Sequence, residues 1–522
     1  MKLLALALAL TCSAFARTYR HSKTQYPAHT IDQPIDHYPN SGRYEPHTNA
    51  TFSQRYFFDS SYYKPGGPVF LYIGGEGRGE GSFSKMGTGI IQILMQATNG
   101  IGVILENRYY GKSYPYNTST TDEMRFLTIE QTIADNAYFA QHAVFPGVNA
   151  SLQAPGTPWI LYGGSNAGAQ TAYSLKTYSP LLWGGICTSG TIKAKHTYVE
   201  FYDPIQKFGP QDCIGSINAI IDNIDYLFAH GNASQIHHMK SIFGLEALKD
   251  NRDFAMTIAF PLGGPLYYPT STWQELIWDP AQSDMDFWYF CRNVTNLDAP
   301  HNIPQVDYEL APYTNGEPWT NLGNYANYIK MQLIPTCNGA PIDSSACFGT
   351  QDPAYWANTT NDKDRSYLYT VCTEIGSYQA ARLHGPTLLS RVVQADHTQQ
   401  WCEWAFPPGQ YNKIPPSPEL WWANKYGGYD VSAPRLAYID GDQDVWLDLG
   451  YHSHDAPERV TASAEEAYLH PQLLIPGAGH GWDSYGIQNV SAEPDFIREA
   501  HLWEIRIVKK WLEMFEQQKQ KD

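Results

Sequence analysis

The sequence predicts an α/β fold, a largely parallel sheet with helices on its faces and a mostly helical insertion. Three observations predict it. Continuous apolar runs at Val69–Ile73, Ile101–Leu105 and 159–162 suit strands covered on both sides. A helical stretch opening at Leu127-Thr128-Ile129 separates the second run from the third, so strand and helix alternate as they do around a parallel sheet. After a long interval of helical spacing, the apolar run 435–439 resumes the sheet.

The chain has 522 residues, enough to bury a large core, and its 43% hydrophobic content with only 17% charged residues excludes a disordered polymer. A formal charge of −17 repels a phosphate backbone, which excludes nucleic acid as a natural partner. Residues 1–16 combine Lys2, an apolar run and the small-residue end Ala14-Phe15-Ala16, the pattern of a cleaved secretory signal. That run is too short to span a bilayer, so no membrane anchor is expected, and the product belongs outside the cell or in a vacuolar or lysosomal lumen.

Removal of the signal takes Cys12 and leaves an odd number of the eight cysteines, so one thiol lacks a partner within the chain. Cys187, in the buried-strand pattern Leu182-Trp183-Gly184-Gly185-Ile186-Cys187, is the expected free one. The others lie in loop-rich sequence that an oxidising compartment pairs, and Cys337 with Cys347 is the most economical local bridge. Sequons at Asn49, Asn117, Asn149, Asn232, Asn293, Asn358 and Asn489 fit a secreted glycoprotein. No cysteine pair has metal-ligand spacing, and no metal or cofactor is expected.

Along the chain, a polar lead containing 31–37 is followed by 51–58, which alternates aromatic and polar residues like a strand. Pro65-Gly66-Gly67-Pro68 makes a turn into Val69–Ile73, and that strand ends in Gly74-Gly75-Glu76-Gly77. Ile101–Leu105 leads to Glu106-Asn107-Arg108-Tyr109-Tyr110-Gly111, where Glu106 and Arg108 are expected to be buried scaffold charges. Thr128 is the expected N-cap of the following helix. From about Asp203, helical spacing at 217–229 and 233–248 and aromatic loops around Trp273, Trp278, 287–289 and 401–406 mark an insertion. The resulting division is a signal (1–16), a first sheet segment (17–205), a helical cap (206–425) and a second sheet segment (426–522). A final amphipathic helix over 496–515 packs on the sheet.

Candidate chemistry stands at strand ends. Strand 159–162 runs into Gly163-Gly164-Ser165-Asn166-Ala167-Gly168, a degenerate nucleophile elbow in which Ala167 fills the last glycine place of the usual G-x-S-x-G. A serine hydroxyl needs an imidazole to take its proton and a carboxylate to fix that ring. Strand 435–439 delivers Asp440, Asp442, Asp444 and Asp448, and strand 472–476 delivers His480. Serine, acid, histidine is the chain order of an α/β-hydrolase, although spacing alone does not choose among the aspartates. The amide of Asn166 and the Gly74-Gly75 backbone are the candidate oxyanion donors.

The chain resembles the serine peptidases that include lysosomal Pro-X carboxypeptidase, dipeptidyl peptidase II, thymus-specific serine protease and the fungal acid prolyl endopeptidases. The resemblance rests on Ser53-Gln54-Arg55-Tyr56, Gly74-Gly75-Glu76-Gly77, Glu106 to Gly111, Leu127-Thr128 with Glu130-Gln131, Gly163-Gly164-Ser165, Cys372-Thr373-Glu374 with Gly376 and Tyr378-Gln379, and Asp444 with Trp446. It implies an α/β-hydrolase fold with an inserted, mostly helical cap, selects Asp444 as the acid, and implies disulfides 213–291, 337–347 and 372–402. Two departures stand out: Val445 replaces the proline of the family's Asp-Pro-Trp, and Asn166 replaces the usual aromatic.

The implied reaction is hydrolysis of peptide bonds beside proline in peptide or protein substrates, through an acyl-enzyme on Ser165. Trp446 is a candidate wall for the proline ring, and Glu76 and Glu374 are candidate anchors for a substrate amine. Exopeptidase action is favoured over an endopeptidase with an open cleft, and a homodimer is compatible. Two other classes use the same features: an esterase with this triad, and an inactive secreted binding glycoprotein on this fold.

Overall fold

The computed structural model describes residues 25–263, 273, 278, 287–459, 463, 466–487 and 490–521. The expected signal, 1–16, and the sequon at Asn489 lie outside the described residues. Ten strands occur among them: β1 (His29–Pro34), β2 (Thr51–Asp59), β3 (Val69–Ile73), β4 (Ile101–Leu105), β5 (Trp159–Gly164), β6 (Gly184–Thr188), β7 (Lys195–Tyr198), β8 (Gly376–Gln379), β9 (Leu436–Gly441) and β10 (Gln472–Ile475). Eight form one sheet in the order β1-β2-β4-β3-β5-β6-β9-β10. From β4 to β10 the pairs are parallel, while β1 and β2 are antiparallel to their neighbours. β7 and β8 pair with each other in a separate parallel ribbon.

The continuous apolar runs divide between two cores because successive strand residues face opposite sides. Val69, Leu71, Ile73, Val103, Leu105 and Leu161 face one core, covered by α2 (Ile129–His142) and α3 (Asn166–Tyr178). Phe70, Tyr72, Ile104, Ile160, Tyr162 and Ile439 face the other, covered by α1 (Ile90–Thr98) and the C-terminal helix α10 (Asp495–Lys519). Each fully buried Ile or Leu contributes roughly 1.5–3 kcal/mol of transfer free energy, so both sheet faces are fixed by the same residues that marked the strands. Thr128 caps α2 through its hydroxyl, which accepts from the Gln131 amide at 3.3 Å.

β2 departs from strict alternation: Gln54, Arg55, Tyr56 and Phe57 are all buried. It lies between β1 and β4, and its polar residues have partners inside the fold. Gln54 donates to the Glu106 carbonyl at 2.9 Å, and Arg55 pairs with Glu106 and Glu80. Arg108 is fully buried and forks onto Asp135, both contacts at 2.7 Å, while donating to the carbonyls of Pro34, Ile35 and Phe126. Glu106 and Arg108 are thus both structural, each with a different partner.

Between β7 and β9 the described chain is mainly helical, and its buried residues form one cluster with Ile35, Tyr44, Phe52, Phe126 and Val445 from outside that interval. In α4 (Gln211–His230) the residues Ile217, Ile220, Ile221, Ile224 and Leu227 make the buried stripe. α5 (Ala233–Ile242) begins at Asn232, whose side chain accepts from the amides of Ser234 and Gln235. It ends earlier than the spacing to 248 suggested, because the chain turns at Gly244 with φ +72°. α6 (Asn251–Ala259) and α7 (Phe287–Val294) follow, and the disulfide Cys213–Cys291 ties α7 to α4. Cys337–Cys347 and Cys372–Cys402 are the other bridges, the latter joining the end of α8 (Lys363–Thr370) to α9 (Ala395–Ala405). Cys187 is free and buried in β6.

Asn49, Asn117, Asn149, Asn232 and Asn358 are exposed. Asn293 is half-buried within α7 and donates to the Tyr289 carbonyl at 2.8 Å. No helix among the described residues is long and apolar enough to cross a membrane.

Candidate active site

Ser165 stands on the turn between β5 and α3 with φ 59° and ψ −130°, a conformation that a non-glycine residue holds only under local constraint. The constraint comes from close packing around the turn. A Cβ on Gly163 would fall 2.1 Å from the Ala167 carbonyl oxygen, and one on Gly168 would fall 2.9 Å from the Gly190 Cα. The small residues therefore let α3 pass against β5 and β6, and Ala167 suffices at the place where the usual motif has glycine. The Ser165 amide donates to the Thr188 carbonyl at 3.0 Å, which ties the turn to the end of β6.

His480 follows β10. Its Nδ1 lies 2.8 Å from Asp444 Oδ2, and the neighbouring Gly481 amide donates to Ser189 Oγ at 2.9 Å. The histidine loop is thereby attached to the same post-β6 segment that holds the serine turn. Asp444 is buried, and its other oxygen accepts from the Trp446 amide at 2.8 Å. The donor is the backbone amide of Trp446, so Val445 in place of proline leaves the carboxylate anchored. Burial disfavours a charged imidazole, but Asp444, with Glu76 and Asp440 beyond it, raises the His480 pKa overall.

The competing aspartates are committed elsewhere. Asp440 meets His452 Nδ1 at 2.7 Å, Asp442 accepts from the Gly477 amide at 2.6 Å, and Asp448 receives Ser453 and the His454 amide.

The two glycines of the oxyanion expectation separate. Gly74 does not offer its amide, because that amide donates to the Leu105 carbonyl at 2.8 Å as a continuation of the β3–β4 ladder. Gly75, with φ +64°, turns the chain out of the ladder, and a Cβ on it would lie 3.9 Å from the Ala167 Cβ. Asn166 is the first residue of α3, at the positive end of the helix dipole.

The three substrate-binding candidates also separate. Glu76 is half-buried after the Gly74-Gly75 turn, and its carboxylate helps to raise the His480 pKa. Burial pushes that carboxyl up from its usual value. Trp446 is half-buried, stacked on Tyr198 with ring centroids 5.5 Å apart and edge-on to Phe201 at 5.1 Å, so an aromatic group adjoins the acid loop. Glu374 is not available as an amine anchor. It is fully buried, with Oε1 2.5 Å from Arg43 and Oε2 accepting from the Ile129 amide at the start of α2. Tyr110, in the 106–111 stretch, and Tyr367 on α8 lie within electrostatic reach of Glu76, and nothing in the sequence around Tyr367 signals that position.

A mainly parallel sheet in this strand order, with the serine turn after β5 and the acid and histidine loops after β9 and β10, makes the chain an α/β-hydrolase. Residues 33–493 match the family described as serine carboxypeptidase S28. The chain is 36% identical over 508 residues to a "probable extracellular serine carboxypeptidase" of Arthroderma benhamiae, covering 94% of this chain and 68% of that one. It is 25% identical to the serine protease vicPa of Bipolaris victoriae (91% and 88% covered) and 23% identical to the thymus-specific serine protease of Mus musculus (87% and 81%). Among solved structures it is similar to a proline iminopeptidase of Mycobacterium smegmatis, 10% identical over 91% of this chain and 100% of that one, with a TM-score of 0.32. The chain belongs to the serine carboxypeptidase S28 family and is a serine-type peptidase.

Proposed function

We propose that this protein is a secreted exopeptidase that hydrolyses peptide bonds next to proline, with Ser165, His480 and Asp444 as its catalytic triad. Ser165 attacks the scissile carbonyl while His480 takes its proton. The imidazolium, steadied by Asp444, then protonates the leaving amine, and water repeats the sequence on the acyl-enzyme. The oxyanion is received by the amides of Asn166 and Gly75; removal of one such donor costs about 3–4 kcal/mol of transition-state stabilisation in other hydrolases. The aromatic group of Trp446, Tyr198 and Phe201 offers a proline ring an apolar wall. In this reading 17–205 and 426–522 form the hydrolase body and 206–425 the cap.

The observation that carries the proposal is the 2.8 Å contact of His480 with Asp444, since the other nearby aspartates are engaged elsewhere. A fluorophosphonate probe tests it: wild type becomes labelled and Ser165→Ala does not. Failure of the wild type to label would remove the triad. Hydrolysis of short acyl esters, with proline peptides left intact, would instead favour an esterase.

A further inference from the structure

We infer that Lys85 is a positioning residue for His480: its buried side chain sets the direction of a hydrogen-bond chain that runs through the Ser484 hydroxyl to the carbonyl of Gly481, the residue directly after the histidine. The inference rests on the triad proposed above and adds a residue that holds its base in place.

Asp444 fixes the His480 ring, which leaves the backbone carrying that ring to be fixed by the loop after β10. In that loop Gly481 takes φ +61°, so the chain turns sharply right after the histidine. The Gly481 amide donates to Ser189 Oγ at 2.9 Å, and Asp483 accepts from Tyr162 and Thr188. Those ties come from β5, β6 and the segment after β6. Lys85 supplies a tie from a different part of the chain, the short helix Phe83–Gly87 in the segment that follows the Gly75 turn. Its Nζ donates to Ser484 Oγ at 2.8 Å, and Ser484 Oγ donates to the Gly481 carbonyl at 2.7 Å. The two segments also meet through backbone, since a Cβ on Gly89 would fall 2.6 Å from the Ser484 carbonyl oxygen.

The chemistry of the donors fixes the direction of the chain. A hydroxyl has one hydrogen to give, and an ammonium donates but never accepts. Ser484 therefore accepts from Lys85 and must turn its own hydrogen to Gly481. A side chain at position 85 that cannot donate would leave that hydrogen free to rotate away. Packing alone does not account for a lysine here. Lys85 is 5% exposed, and it meets a hydroxyl and the face of the Tyr485 ring rather than a carboxylate. A buried ammonium so placed lowers stability where a methionine of similar length would not, so its place against the histidine loop points to a role in the site. The titratable groups that face it are Asp483 and Tyr485. Burial pushes the Lys85 pKa well below its ordinary value, with Asp483 opposing, so the chain is most complete in acid.

The test is a double-mutant cycle on Lys85→Met and Ser484→Ala, read at pH 5 by the rate of fluorophosphonate labelling at saturating probe. In that reaction Ser165 Oγ bonds phosphorus, fluoride leaves and His480 takes the hydroxyl proton. Each single variant should lower the saturated rate by about 10²-fold, the size of a slightly misplaced catalytic group, with the half-saturating probe concentration unchanged. The double variant should be no slower than the slower single, because both cut the same chain. Ser484→Thr, which keeps the hydroxyl, should label like wild type. Wild-type saturated rates in both single variants, or losses that multiply in the double variant, would overturn the inference while labelling of the wild type left the peptidase reading intact. Failure of the wild type to label would remove the triad and this inference with it. If Lys85→Met does not fold, Ser484→Ala and Ser484→Thr decide: a rate lost in the first and kept in the second supports the chain, and equal rates overturn it.

Discussion

Asp444 is held by Trp446 from the side away from the histidine: the Trp446 amide bonds Oδ1 at 2.8 Å while His480 Nδ1 takes Oδ2 at 2.8 Å. The carboxylate is thus oriented before any substrate arrives, and the ring it faces has only one workable tautomer. Asp444→Asn keeps the Trp446 bond and the shape but offers the ring a donor or a weaker acceptor. The expected result is a fall in kcat of about 10³–10⁴ with near-normal melting temperature, the size seen when a triad acid is neutralised elsewhere. Labelling kinetics with a fluorophosphonate and turnover of a Pro-X peptide check it. Activity within tenfold of wild type would remove Asp444 from the triad.

The elbow makes a steric prediction. Gly163→Ala places a methyl against the Ala167 carbonyl, a fixed backbone group that cannot swing aside. Either α3 shifts or the protein fails to fold, so the variant should show a lowered melting temperature together with slower labelling of Ser165. A variant that melts and labels like wild type would contradict the tight turn.

Glu374 sits where a structural charge is needed, and the cost of breaking its pair measures that. Arg43→Ala leaves a fully buried carboxylate with only the Ile129 amide. Removal of one member of a buried pair costs roughly 3–5 kcal/mol, and the partial exposure of Arg43 places this case at the lower end. Urea unfolding should show the loss, and the double variant Arg43→Ala with Glu374→Gln should recover part of it. The relative rates on N-blocked and unblocked peptides should stay as in wild type. A change in that ratio would return Glu374 to substrate binding.

These sites show what the sequence could disclose. The buried strands announced themselves because apolar side chains were needed on both faces, as in β3, β4 and β5. β7 and β8 did not: Lys195-His196-Thr197-Tyr198 and Gly376-Ser377-Tyr378-Gln379 pair through backbone, which composition does not encode. The serine and histidine were legible as residues at strand ends; spacing left Asp444 among four aspartates, the family resemblance selected it, and it is the one that His480 meets. Glu374 is a carboxylate of the kind an amine anchor needs, but Arg43 and the Ile129 amide engage its two oxygens. The action of Glu76 on His480 joins distant segments and belongs to tertiary structure alone.

The last prediction concerns pH and a pair of buried acids behind the histidine loop. Asp483 accepts from Tyr162 and Thr188, each at 2.6 Å, and Glu504 of α10 lies fully buried beside it. Burial pushes both carboxyls up, Glu504 well above its ordinary value, and the Asp483 charge further disfavours ionisation of Glu504. An acid whose pKa is higher in the folded state than in the unfolded chain holds a proton that unfolding releases. Its contribution is therefore complete below the unfolded value, about 4.3 for Glu, and is lost as pH rises through the folded value. Melting temperature should fall from acid toward neutral pH, in the direction opposite to that set by ion-paired carboxylates. Glu504→Gln removes the titration while keeping the shape, so its melting temperature should depend less on pH between 4 and 8, whatever its absolute stability. Parallel wild-type and variant profiles over that range would show that Glu504 is not the group responsible.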